Sequence, residues 1–362
     1  MKISIVRLFS IVATLALSLS ATAQTLTWSA EYQDYNTSNI GGGGTQRPTI
    51  ASVVFNNQIF IAYTTSNNCD GVGCAIQIKE SSGQAPTGAY AFSNWGVLSV
   101  PTIGQVFTKV NPAMGVQNGI VYIAWTDESG NNWLSMSTDM INWSAPVTIL
   151  PSSNGTIESI GISFNPSTPN QLWLGYASTS QYPTICNVFP NTSNFPYSAV
   201  SCYTSTTSGT QMLYNPGIIW QNNIAYMFLT WHGSSHCLSS FYSANGKDPW
   251  TYWNPKNQSG SSLCSAQQTS SAPDPVLYNG YTYVAFRSND SSAAFDLIGG
   301  TITSPSPGAG YIWTRLTTGG QHMDGSPDLL PVSTSQGLSL LYPTELVNFY
   351  ARGGYLYSVY GH

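Results

Sequence analysis

Arg47, Arg287 and Arg352 each stand at the edge of a β-rich run, where a loop begins or ends. A guanidinium is planar and presents paired donors that match a carboxylate fork, so three of them brought together would clamp an anion. Acids occupy comparable loop positions: Asp70, Asp127, Glu128, Glu158, Asp274, Asp290, Asp324, Asp328 and Glu345. Two carboxyls held in different environments can divide the work of general acid and general base, and Asp70, Asp127, Glu158 and Asp274 could supply such a pair. Trp125, Tyr176 and Trp231 end apolar runs, with His232 directly after the last. An exposed ring at such a position can stack on the C–H face of a hydroxyl-rich ligand, and a buried one packs the fold.

Other spacings carry less. His232-Gly-Ser-Ser-His236 has the separation of a helical metal pair, but it spans a loop and runs into Cys237, a residue expected to be oxidised. Asp127 to Asn132 lacks the closing glutamate of a calcium loop and reads as a hairpin. Gly41 to Gly44 has neither the lysine nor the following helix of a phosphate cradle. No cofactor or metal is expected.

The elements that must position these groups are strands. A five-residue pattern ending in an aromatic recurs at Ile59–Tyr63, Val121–Trp125, Leu172–Tyr176, Met227–Trp231, Thr282–Phe286 and Leu338–Tyr342, with steps of 62, 51, 55, 55 and 56 residues between the aromatics. That period fits one four-stranded propeller blade. A first strand opened by proline precedes most copies, at Pro48, Pro112, Pro216, Pro275 and Pro327. Asn56-Asn57, Asn118-Gly119, Asn222-Asn223 and Asn279-Gly280 mark tight hairpins between first and second strands. The expected fold is all-β: a six-bladed propeller with four-stranded antiparallel blades, formed by residues 24–362 as a single domain. Blade six lacks a fourth strand downstream of Tyr355–Tyr360, and Leu26-Thr-Trp28-Ser-Ala30 resembles Ile141-Asn-Trp143-Ser-Ala145. A strand at about 25–31 is therefore expected to complete blade six and close the ring, protecting its edges.

Residues 1–23 run from Lys2 and Arg7 through the apolar stretch Leu8 to Leu19 and end in Ala21-Thr22-Ala23, the order of a secretory signal. The apolar stretch is shorter than the roughly 20 residues of a membrane span, so a secreted chain without membrane insertion is expected. Lys2 and Arg7 are two of only ten basic residues, against 15 acidic ones, a balance that excludes nucleic acid as a partner. Charged residues make up 7% of the chain and aromatics 13%, leaving solubility to hydroxyls, amides and glycine. Such a surface suits neutral, hydroxyl-rich partners. The six cysteines form an even set of local pairs, Cys69 with Cys74, Cys186 with Cys202 and Cys237 with Cys264, read as three disulfides among the 15 possible pairings.

Ser137-Thr-Asp139-Met-Ile-Asn-Trp143 and Ser243-Ala-Asn245-Gly-Lys-Asp-Pro-Trp250 precede the fourth strands of blades two and four. Both resemble the Asp box of the sialidase superfamily, Ser-x-Asp-x-Gly-x-x-Trp, the first being one residue short and the second carrying Asn for Asp. The resemblance implies a structural turn at Asp139, on the face opposite the site, and a function shared with either lectin-like or catalytic members. Sialidases hold the substrate carboxylate with three arginines, which implies that role for Arg47, Arg287 and Arg352. It also implies an acid at Asp70 and a tyrosine nucleophile with its glutamate at Tyr342 and Glu345. Arg352 follows Tyr342, whereas the family's third arginine precedes its tyrosine, and Tyr342 also holds the repeated aromatic position. The sequence thus reads as a secreted, monomeric, glycan-binding propeller. Its ligand would sit on the rim made by first-strand starts and second-to-third-strand loops, and an exo-sialidase or related glycoside hydrolase is the alternative.

Overall fold

A computed structural model describes residues 26–41, 49–70, 73–81, 90–108, 110–149, 160–168, 171–189, 199–257, 259–302, 311–332 and 345–361. All four asparagine hairpins take the shape expected of them, their paired residues lying at φ between 48° and 79°. This is the left-handed conformation that a two-residue hairpin requires and that Asn and Gly tolerate.

Each hairpin opens a blade. Blade one comprises Ala51–Phe55, Gln58–Cys69, Cys74–Ser81 and Phe92–Val97, and blade two Ala113–Gln117, Ile120–Thr126, Asn132–Ser137 and Val147–Ile149. Blade three comprises Gly161–Phe164, Leu172–Ala177, Pro183–Phe189 and Ala199–Thr204, and blade four Gly217–Gln221, Ile224–Thr230, Leu238–Ser243 and Thr251–Trp253. Blade five comprises Asp274–Tyr278, Tyr281–Arg287, Ala294–Ile302 and Tyr311–His322. The short strand Phe107–Thr108 adds to blade one. The six first strands neighbour one another in a closed circuit, so the ring is complete.

Strand alternation sends successive side chains to opposite neighbouring blades. Six apolar clusters result, one for each interface in the ring. Four of the repeated aromatics, Tyr63, Trp125, Tyr176 and Phe286, face the preceding blade and are at most 2% exposed.

Blade six is assembled from both ends of the chain, as expected, but two of its strands lie elsewhere. Its order from the axis outward is Asp328–Val332, Glu345–Arg352, Tyr355–Gly361 and Tyr32–Ser38. The second strand is therefore Glu345–Arg352, and the aromatic equivalent to Trp125 is Tyr350. Tyr342 and its pattern lie outside the described residues. Val347, Phe349 and Ala351 pack toward blade one while Leu346 and Tyr350 pack toward blade five, which fixes this strand between two apolar surfaces. The closing strand begins at Tyr32, after Trp28 has made a single antiparallel bridge to Gly361 and set its ring edge-on to Phe295 at 5.5 Å.

The three disulfides pair as expected. Cys69–Cys74 ties the loop after the second strand of blade one, and Cys186–Cys202 joins directly opposed residues of blade three. Cys237–Cys264 pins the short helix Leu263–Ala266 to blade four. No helix among the described residues is long and apolar enough to cross a membrane.

Candidate functional site

Antiparallel order gives the ring two rims. The upper rim carries the starts of first strands, the ends of second strands and the ends of fourth strands; the lower rim carries the other turns. Asp139 lies on the lower rim, where its carboxylate accepts from the amides of Ile141 (2.8 Å) and Asn142 (2.7 Å) and from the Asn142 side chain. The Asn142 backbone bond leads in pulling its pKa down to about 2, so Asp139 is an ionised turn cap. Asn245 plays the matching part in blade four, accepting from the Lys247 amide at 3.0 Å.

The axis is where the six blades can be compared position by position. Pairing register aligns the first residue of each innermost strand: Ala51, Ala113, Gly161, Gly217, Asp274 and Asp328. All six line one axial cavity of about 100 Å³. Where glycine stands, the blades touch backbone to backbone: a Cβ at Gly161 would fall 2.3 Å from the Pro216 carbonyl oxygen, and one at Gly217 the same distance from that of Pro273. Where aspartate stands, the side chain spans the gap. Asp274 of blade five accepts from the Leu329 amide of blade six at 2.5 Å, and Asp328 of blade six accepts from the Ser52 hydroxyl of blade one.

Both acids sit deep in the ring yet keep a surface toward the cavity. Burial raises the Asp274 pKa to about 7, against the opposing Leu329 bond. Burial and the neighbouring Asp274 charge push Asp328 well above the carboxylate range, against its Ser52 bonds. Burial thus favours the neutral form of both acids, and a charge on Asp274 strengthens that preference at Asp328.

Two of the three arginines of the expected clamp are described. Arg47 lies outside the described residues. Arg287 donates from Nε to the Met323 carbonyl at 2.6 Å and from a terminal nitrogen to Ser270 Oγ at 2.8 Å. Arg352 pairs with the chain's own carboxylate at Glu31, to which Tyr350 also donates at 2.5 Å, and rests over the Tyr357 ring at 4.3 Å. Both guanidiniums are thus committed within the fold. Glu345 opens the second strand of blade six and so stands on the lower rim, away from the upper-rim arginines, because that strand starts rather than ends there.

Asp70 caps its own disulfide loop, accepting from the Gly73 amide at 3.0 Å. Burial pushes the Asp127 carboxyl up, but bonds from Trp133, Asn131 and Ser129 outweigh it and hold the pKa below the ordinary value. Asp290 is likewise lowered, led by the Ser292 hydroxyl. Glu158 lies outside the described residues.

Of the three stacking candidates, Trp125 and Tyr176 are 1% and 0% exposed and pack between blades, while Trp231 is 36% exposed. Register explains the difference: the residue of blade four equivalent to Trp125 is Leu229, so Trp231 lies two residues past the buried position, on the upper rim. Its ring lies over Gly233, where a Cβ would come within 2.4 Å. His232 is exposed beside it, and His236 contacts Asn289 of blade five at 3.4 Å. His322 holds the Ser292 carbonyl at 3.0 Å on the same rim. Among the described residues, no group of three or more His, Cys, Asp or Glu side chains is placed to hold a metal ion.

No protein-family model matches the chain, and no curated protein matches it in sequence. Its fold is similar to that of several solved structures. An α-L-arabinanase from Penicillium chrysogenum, complexed with arabinobiose, is 14% identical over 93% of this chain and 98% of its own, with a TM-score of 0.61. A protein of unknown function from Dyadobacter fermentans is 9% identical over 94% and 99%, with a TM-score of 0.62. A mutant α-L-arabinofuranosidase from Fusarium graminearum, in complex with an iminosugar inhibitor, is 11% identical over 92% and 98%, with a TM-score of 0.60. At these identities the likeness is one of fold.

Proposed function

We propose that this chain is a secreted propeller that binds neutral glycans on its upper rim, over blades four to six. The observation that carries the reading is Trp231: its ring is exposed on the rim that also carries His232, the Asn289–His236 contact and His322. Aromatic faces stack on sugar C–H groups while imidazoles and amides meet hydroxyls, and few charges compete. Neutral ligands are favoured over sialic acids because a substrate carboxylate would have to displace Glu31 from Arg352. Three disulfides and the leader-like residues 1–23 fit an oxidising, extracytoplasmic setting.

Hydrolysis is the second reading, favoured by the axial pair Asp274 and Asp328. A carboxyl kept protonated near neutral pH can donate to a leaving glycosidic oxygen, and two solved propellers of similar fold are arabinan- and arabinoside-cleaving enzymes by name. A glycan array read beside reducing-sugar release from arabinan and xylan separates the two. Array binding lost in Trp231→Ala, without sugar release, supports the binding protein. Turnover lost in Asp274→Asn, per folded molecule, supports the hydrolase. Array binding equal in wild type and Trp231→Ala overturns the upper-rim reading.

A further inference from the structure

The lower rim has a cavity of its own. It opens between blades three and four, holds about 470 Å³, and lies on the face opposite Trp231 and the axial acids. That volume falls within the range of small-ligand sites, roughly 300–1,000 Å³.

Its inner wall is a cross-strand row on one face of blade three. Trp173 pairs with Asn187, and Asn187 with Ser201, so three side chains stand abreast, with Gln171 and Phe189 one step further along the same face. Trp220 of blade four meets Trp173 at 4.9 Å between ring centroids and completes the floor. Gly246, at φ 73°, lets the following turn lie directly on both indoles, where a Cβ would come within 2.7 and 2.8 Å.

Three polar groups of this wall have no hydrogen-bond partner among the described residues: the indole N–H of Trp173, the indole N–H of Trp220 and the side-chain oxygen of Asn187. All three residues are at most 4% exposed. These atoms have no surface open to solvent, so the groups left for a ligand are the half-buried side chains of Gln171 and Ser201, an amide and a hydroxyl that call for a partner able both to donate and to accept. A hydroxyl does both. The outer wall offers more of the same chemistry, in Ser167, Thr168, Asn223 and Asn245. Among the described residues no carboxylate lines the space, and the one cation, Lys247, rests over the Tyr203 ring at 4.8 Å.

We infer that this cleft is a second carbohydrate site, taking a segment of a neutral oligosaccharide with hydroxyls turned to Gln171 and Ser201. The site stands independently of the upper-rim reading and would let one molecule hold two chains, or two stretches of one chain, on opposite faces.

The test is a titration with arabinan-, xylan-, mannan- and β-glucan-derived hexaoses, followed by tryptophan fluorescence and calorimetry. The proteins are wild type, Trp231→Ala, Trp220→Phe and Gln171→Ala. Gln171→Ala removes a half-buried cavity side chain and guards against a folding defect in Trp220→Phe. At least one hexaose is expected to bind Trp231→Ala saturably, with affinity falling about tenfold in both Gln171→Ala and Trp220→Phe. Binding that depends on Trp231 alone overturns the lower site and leaves the upper one standing. Binding that depends on Gln171 and Trp220 alone does the reverse. Absence of saturation with every hexaose overturns the lower site.

Discussion

Asp34 permits the sharpest test of how the ring closes. It lies in the closing strand, 2% exposed, and its carboxyl accepts from the Tyr90 amide of blade one at 2.5 Å and from Ser358 of blade six at 3.2 Å. Burial raises its pKa from 3.8 to about 8, against the Tyr90 and Ser358 bonds, so the folded protein holds it neutral while the unfolded chain ionises it. The folded state then binds the extra proton, and stability falls as pH rises. The contribution is complete below pH 3.8, declines through the interval up to about 8 and is gone above it. At about 1.4 kcal/mol per pH unit the whole effect is on the order of 5 kcal/mol, large against a typical stability of about 5–15 kcal/mol. For a domain of this size that slope corresponds to a melting temperature falling by about 2 °C per pH unit. Asn at this position keeps the acceptor and cannot ionise. Melting curves of wild type and Asp34→Asn should therefore diverge by about 6 °C between pH 5 and pH 8, with the variant the flatter. Parallel curves would refute the buried-acid account of closure, whatever their absolute values, because Asp274 and Asp328 act with the same sign in both proteins.

Gly217→Ala sets a Cβ 2.3 Å from the Pro273 carbonyl oxygen and should cost about 2 kcal/mol or more, read as a lowered urea midpoint. Trp125→Ala should cost about 3–5 kcal/mol in the same assay with glycan affinity unchanged per folded molecule, while Trp231→Ala should do the opposite. Replacing Cys186 and Cys202 by serine opens a covalent loop of sequence separation 16 and should lower stability by about 3 kcal/mol, measured against the oxidised wild type.

Local rules made much of the fold legible. Four asparagine hairpins, three neighbouring cysteine pairs and the aromatic period announced six blades, because each depends on a few adjacent residues. Errors arose where a pattern could slide. Trp231 was aligned with Trp125 although Leu229 is the equivalent residue, and a slip of two leaves every side chain on its expected face, so alternation cannot reveal it. The aromatic period pointed to Leu338–Tyr342 for the second strand of blade six, while the strand Glu345–Arg352, apolar on both faces, shows no alternation to find. At the closing strand the likeness of Trp28 to Trp143 was sound. Each makes an isolated bridge before the outer strand, which starts at Tyr32 in one case and Val147 in the other. The lower cleft was invisible because its residues come from two strand rows and several turns that only the ring brings together.

The axial row shows why the charged residues were hard to assign from type alone. Four of its six members are alanine or glycine, and the two aspartates bridge blade six, the blade built from both ends of the chain, to its two neighbours. Glycine brings neighbouring backbones together with no side chain to hold them. Aspartate bridges to the next blade by accepting a hydrogen bond from it. Both residues line the axial cavity, Asp274 with its pKa raised by burial to about 7, and a residue that holds the fold can also do chemistry when its environment keeps it protonated. Asp34 separates the two roles: it joins blades six and one through the Tyr90 amide, as Asp328 does through Ser52, but it does not line the axial cavity. Matching pH dependence of stability in Asp34→Asn and Asp274→Asn, with sugar release lost in the second alone, would assign closure to both acids and chemistry only to the axial one.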